Sequence, residues 1–373
     1  MKRRTKIRYD RIAIFLVILG VFIGIVVGIF NNNNVKNYFF SKKTGYSIET
    51  VKVFRDKDIL EDVSNSKYSK TLESAISSNN FNDKYLIDYL NIKYKDEEKF
   101  IDNINNLLNI GYKYNEINKI EDVLSNDSID IINKYEYNNQ LSLYLGLTYF
   151  KEDNLERYIN YYEDNKDMDY TDIITFVNIG LDNEYYSNVK DIEDDNDILV
   201  LVNKYNKLDS NYVPDDLETL SSKYAVGTQQ LRKEALDKFI KMCDAAMEDG
   251  ITIKAGSTYR SYSYQLGLYN RYVNRDGKKE ADRYSARAGY SEHQTGLAID
   301  ILNKSLEFID EGNKEYDWLI NNSYKYGYIL RYTKDEDITG YQFEPWHFRY
   351  VGEKVAKDIN DTGLTYDEYV ARQ

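Results

Sequence analysis

The sequence predicts an α+β domain at the C-terminal end, preceded by an all-α helical-repeat region and one N-terminal transmembrane helix. Three observations predict this arrangement. An uncharged apolar run occupies residues 12–30, and apolar residues recur at helical spacing between about 66 and 205. Beyond 205 the composition changes. The first of only two prolines, Pro214, appears there, followed by Gly-containing turns and alternating segments.

The first element begins with MKRRTKIRYDR, which carries six basic residues and one acid. The run IAIFLVILGVFIGIVVGIF follows; its 19 residues would span about 28 Å as a helix, close to the thickness of a hydrocarbon core. It ends in bulky Ile29 and Phe30 rather than in the small residues of a signal-peptidase site. Residues 1–30 are therefore expected to be a cytoplasmic basic tail and a retained anchor. The flanking positive charge places everything after the anchor outside the cytoplasm, in a single-pass arrangement.

Residues 31–65 are polar without strong period and are expected to be a linker or stalk. In 66–205 apolar positions such as Ile101, Ile104, Leu107 and Leu108 fall on one helical face. Glycines at 111, 146 and 180 lie 35 and 34 residues apart, which suggests stacked helical hairpins with a period near 35. The sequence leaves open what protein this region binds.

Residues 206–373 are expected to form the α+β domain. QLRKEALDKFIKMCDAAMEDG reads as an amphipathic helix with Leu231, Ala235, Leu236, Phe239, Met242, Cys243 and Met247 on its apolar face, terminated by Gly250. ITIKAGSTYR alternates as a strand, and HQTGLAIDIL and YGYILRY carry strand ends. Cys243, the only cysteine, belongs to the core by this pattern. No intrachain disulfide or cysteine-based zinc cluster is possible. The net charge of −13 argues against nucleic acid as a partner, which would call for a clustered basic face. The 38 tyrosines read as a compositional bias rather than as a functional signal.

The chemistry centres on two histidines, the only ones in the chain. His293 lies in SEHQTGLAID and His347 in FEPWHFRY. A hydrolytic zinc ion takes three ligands from His, Asp or Glu and keeps one position open. Two histidines and one carboxylate are the only such set available, and Asp300, seven residues after His293, is the carboxylate in reach. The spacing excludes a helical HExxH site. Glu344, held extended before Pro345, is placed to act as a general base. Taken singly, each of these residues reads as a structural histidine or a solvated carboxylate. Their concentration in two segments rich in Gly, Pro and Trp favours a metal site.

These segments fit S-x-H-x-x-G-x-A-x-D and E-x-x-H, and here the chain resembles the VanY-type D-alanyl-D-alanine carboxypeptidases of peptidase family M15. Similarity extends through LVLVNKYNKL, YVPDDL, GSTYRSYSYQ and WLINNSYKYGYILRY, over residues 199–373. The resemblance implies Zn²⁺ bound by His293, Asp300 and His347, with Glu344 as catalytic base and Arg260 stabilising the oxyanion or holding the substrate carbonyl. It also implies a substrate pocket lined by Gln265, Ser257, Ser291 and Trp346. The implied substrate is a peptidoglycan stem peptide ending in D-Ala. An L,D-carboxypeptidase or a D,D-endopeptidase would use the same site. A non-catalytic wall-binding protein with structural zinc would need neither Glu344 nor Arg260.

Overall fold

The uncharged run forms one helix, Tyr9–Asn31, whose segment Arg11–Asn31 is long and apolar enough to cross a membrane and has none of its residues buried. This is a computed structural model, and it describes residues 9–373; the basic tail at 1–8 lies outside the described residues. The chain divides into two compact units, Met1–Leu145 and Gly146–Gln373.

The segment expected to be a stalk is folded. Helices Asn33–Thr44, Ile48–Asp56 and Leu60–Ser64 occupy it, with Val51, Phe54 and Val63 fully buried. Ser47 supplies the helix cap that a sequence reading for a linker passes over, its hydroxyl accepting from Thr50 N. Beyond it, helices Lys70–Ser77, Phe100–Ile110 and Asn126–Ile132 pack one on the next, and so do Leu86–Asn91, Tyr114–Val123 and Leu141–Tyr144. Packing of each helix on the one two places along gives a two-layer array of helical hairpins. The hairpins start at residues 70, 100 and 126, so the period is shorter than the 35 suggested by the glycines. Gly111 closes a helix with positive φ, and so does Gly180, which lies in the second unit. The spacing of the three glycines is not the repeat.

In the second unit, four antiparallel strands lie in the order Lys254–Ser257, Ala298–Leu302, His347–Tyr350, Tyr328–Leu330. Ile299, Ile301, Phe348 and Tyr350 alternate onto one face. There they pack in one core with Ala235, Phe239, Met242 and Cys243 of the helix Lys233–Glu248. Ala246 completes that face; Met247, expected on it, is 38% exposed. Tyr328 locks helix to sheet by donating its hydroxyl to Ala235 O at 2.6 Å. The same alternation turns Asp300, His347 and Arg349 to the opposite face of the sheet.

The boundary expected at 205/206 is not where the units part. Helix Leu155–Asp164 packs on Tyr170–Ile179, and the latter packs on the last helix, Tyr366–Ala371. Asn178 Nδ2 donates to Ala371 O at 3.1 Å, and Arg372 Nε donates to Thr175 Oγ1 at 3.0 Å. Residues 180–205 run as turns with a short strand, Lys190–Asp191, and Val202 is buried in the domain core. Helical periodicity ends near 180, and the segment after it belongs to the α+β unit.

Candidate metal centre and active-site cavity

Sheet register delivers two of the three expected ligands. Asp300 and His347 are direct cross-strand partners in the pair Ala298–Leu302 and His347–Tyr350, so their side chains leave the same face side by side. Asp300 Oδ1 lies 3.1 Å from His347 Nδ1. The third ligand comes from the turn Glu292–Thr295, which closes at Gly296 with φ +67°. A Cβ at Gly296 would meet Leu217 Cδ2 at 2.8 Å, so both the backbone conformation and the space call for glycine. His293 Nδ1 donates to Thr258 O at 2.6 Å, fixing the ring so that Nε2 turns inward, 3.4 Å from Asp300 Oδ1. Candidate ligand atoms of His293, Asp300 and His347 all lie within 4.8 Å of one another, and all three residues are buried.

The electrostatics suit a cation. Burial works against the charged form of Asp300, but His293 and Arg260 outweigh it and hold the carboxylate well below its usual range. Burial, then Arg260, lowers His293 to about 4, so it is a neutral donor near pH 7. Burial also disfavours His347⁺, yet Asp300 and Glu292 outweigh it and raise His347 to about 9. A neutral metal ligand at that position must therefore release a proton when the metal enters. Two histidines and a carboxylate, both rings presenting a nitrogen to Asp300, form a donor set that fits zinc.

Glu344 is 8% exposed, and its Oε2 lies 3.6 Å from His347 Nδ1. The turn that holds it is pinned by Glu344 N donating to Tyr332 O and His347 N donating to Glu344 O, at 3.2 and 3.1 Å. Burial is the main reason that its pKa rises to about 7. Arg260 Nε donates to Ser257 Oγ at 2.9 Å while its Nη2 pairs with Asp300 Oδ2. Arg260 is thus tied to a candidate ligand as well as facing the cavity.

A cavity of about 210 Å³ opens onto these groups. Gln265, Ser291 and Trp346 line it; Ser257 does not, and sits behind Arg260 instead. Gln265 Nε2 donates to Ala286 O at 2.7 Å, leaving its buried Oε1 without a partner. Trp346 packs against Phe308, ring centroids 5.7 Å apart. The sequence reading missed Tyr332, Tyr341, Gln342 and Phe308, which complete the wall. It also missed Glu292, whose side chain is fully buried.

A protein family described as VanY, D-alanyl-D-alanine carboxypeptidase, matches residues 228–353. The "Putative carboxypeptidase YodJ" of Bacillus subtilis (strain 168) is 41% identical over 206 residues, spanning 51% of this chain and 75% of that protein. The chain belongs to the VanY family. A D-alanyl-D-alanine carboxypeptidase of Enterococcus faecalis (strain ATCC 700802 / V583) is 36% identical over 182 residues, which are 46% of this chain and 65% of that protein. Among solved structures, the LdcB LD-carboxypeptidase is 41% identical, with 50% of this chain and 91% of that one covered and a TM-score of 0.47. The VanY match lies inside the second unit and takes in Arg260, His293, Asp300, Glu344 and His347.

Proposed function

We propose that the chain is a membrane-anchored zinc carboxypeptidase that removes the C-terminal D-Ala from peptidoglycan stem peptides. One observation carries the reading: a buried His293–Asp300–His347 cluster at the floor of a cavity, with Glu344 beside it, in a chain of the VanY family. Zinc in such a site supplies Lewis acidity and makes water a nucleophile near neutral pH.

The chain's own residues do the rest. Glu344 takes a proton from the attacking water and returns it to the leaving amine, and its burial keeps its pKa near the operating range for both tasks. Arg260, held on Ser257 and Asp300, presents a fixed cation to the negative charge that develops on the carbonyl oxygen. Gln265 Oε1 offers an acceptor to a peptide N–H, and Ser291 and Trp346 flank the peptide. The helix Tyr9–Asn31 anchors the chain and places the catalytic unit outside the cytoplasm, where stem peptides are found.

The test is incubation of the zinc-loaded chain with defined tri-, tetra- and pentapeptide muropeptides, read by mass. The expected result is loss of one D-Ala from the pentapeptide. Cleavage of the tetrapeptide alone would move the specificity to an L,D-carboxypeptidase, and no cleavage of any would sink the reading. For the topology, the chain should sediment with membranes at full length and its C-terminal unit should yield to protease added outside. A shortened soluble form as the main species would contradict the anchor.

A further inference from the structure

Glu292 follows Ser291 in the same short turn as His293, yet its side chain points away from that histidine and toward the other. Its Oε2 lies 3.7 Å from His347 Nε2, beyond hydrogen-bond length, and neither buried atom has a hydrogen-bond partner. Two unpaired polar atoms facing each other in a buried site are costly unless something completes the pair. The carboxylate itself is firmly held. Its Oε1 accepts from Arg331 Nε at 2.8 Å and from Arg349 Nη1 at 3.0 Å, and both arginines are fully buried.

The arginines are fixed in turn from outside the VanY match at 228–353. Arg331 Nη1 donates to Asp367 Oδ2 at 2.7 Å, and Asn203 Nδ2 donates to Asp367 Oδ1 at 2.8 Å. Arg349 Nη2 donates to the carbonyls of Ile198 and Val200 at 2.9 and 2.8 Å. Two carboxylates and two guanidinium groups balance in charge, so the network needs no counter-ion and can sit in the interior.

We infer that Glu292 is a positioning residue for His347: it accepts the Nε2 proton, so that Nδ1 is the nitrogen presented to the metal. The inference rests on the zinc reading above. With Nδ1 committed to a metal, the ring proton resides on Nε2, and the facing oxygen of Glu292 is its acceptor. One turn then serves both histidines, His293 as ligand and Glu292 as the support behind the second ligand. The Asp367 helix and the irregular segment at 198–203 become part of the metal site's foundation. A carboxylate behind a ligating histidine fixes its tautomer and raises its basicity, and losing one typically costs 10–100-fold in metal affinity.

Zinc affinity of the full chain, measured by competition against a chelator, tests this in three proteins: wild type, Glu292→Gln, and Leu236→Ala as a core lesion that removes no member of the network. Glu292→Gln is expected to bind zinc about 10–100-fold more weakly, with Leu236→Ala within about twofold of wild type. Equal affinity for Glu292→Gln and wild type, or an equal loss in Leu236→Ala, overturns the inference. Wild type that binds no zinc overturns the functional reading instead, which keeps the two failures apart. Should Glu292→Gln not fold, the zinc-loaded wild type labelled with ¹⁵N-histidine decides, since it has only two rings to assign. The proton should reside on Nε2 of His347 and on Nδ1 of His293. A proton on Nδ1 of His347 overturns the inference.

Discussion

Each of the two units is held together internally, over very different distances along the chain. In the helical unit, Ser69 N donates to Tyr46 OH, Lys93 N to Asn118 Oδ1, and Asn138 N to Tyr112 OH, separations of 23, 25 and 26 residues. Each link joins one hairpin to the next. In the catalytic unit, Arg349 reaches Val200 across 149 residues, Asn203 reaches Asp367 across 164, and Arg372 reaches Thr175 across 197. An array held by nearest-neighbour links keeps a lesion local. In the catalytic unit two of these links, Arg349–Val200 and Asn203–Asp367, end on or next to the arginines that hold Glu292 near His347, so a lesion there should reach the candidate site.

Deletion tests that contrast most severely. A fragment of residues 206–373 lacks the carbonyls of Ile198 and Val200, Asn203, buried Val202 and the helix under Tyr366–Ala371. It is expected to show no cooperative thermal transition and to bind no zinc, whereas residues 146–373 should melt cooperatively. A sharp transition in the shorter fragment, at the temperature of the longer one, would show that the closing links are dispensable.

Removing one charge from each unit sharpens the comparison. Arg331→Met leaves the buried Asp367 without its guanidinium partner and Glu292 with Arg349 alone, an expected loss of about 3–5 kcal/mol in urea unfolding of the catalytic unit. Lys95→Met removes the partner of Glu121, whose carboxyl burial already pushes up toward its neutral form. It should cost the helical unit about 1 kcal/mol or less. Similar losses in the two would erase the distinction.

The smallest effects compare single phenols. Tyr46→Phe removes the acceptor of Ser69 N, and Tyr328→Phe removes the donor to Ala235 O. Each should cost about 1 kcal/mol. Hydrogen exchange should speed up only in the helices flanking Tyr46 for the first, but throughout the catalytic sheet and Lys233–Glu248 for the second. Faster exchange confined to the neighbours of Tyr328 would place that unit with the array.

What the sequence displays follows the same divide. His293, Asp300, Glu344 and His347 were legible because histidine is scarce in this chain and both copies lie among Gly, Pro and Trp. Arg260 and Gln265 came with the VanY motifs. The cross-strand register that sets Asp300 opposite His347 was not legible, because pairing across 47 residues leaves no periodic trace. Glu292 was in plain view beside His293, but its role depends on Arg331 and Arg349, 39 and 57 residues away. The tyrosines of the cavity wall were hidden among the chain's 38 tyrosines, most of no special position. Periodicity identified the helices of the first unit but not its true repeat, since glycines at helix ends were mistaken for the period. It also ran the helical region past 145, where helices Leu155–Asp164 and Tyr170–Ile179 look like further repeats, yet they pack on each other and the second packs on the C-terminal helix.

The division of labour between ligands and base is tested most directly by zinc content and turnover of a D-Ala-D-Ala stem peptide, measured side by side on the same preparations. Ala at His293, Asp300 or His347 should lower both. Glu344→Gln keeps the side chain's size and loses the basic oxygen. It should hold zinc at the wild-type level while turnover falls by about two or more orders of magnitude. Arg260→Ala should also keep zinc and lose about 3 kcal/mol of transition-state stabilisation. Zinc lost from Glu344→Gln would make Glu344 a ligand or a ligand's support, and near-normal turnover would put the base elsewhere; either result contradicts the assignment.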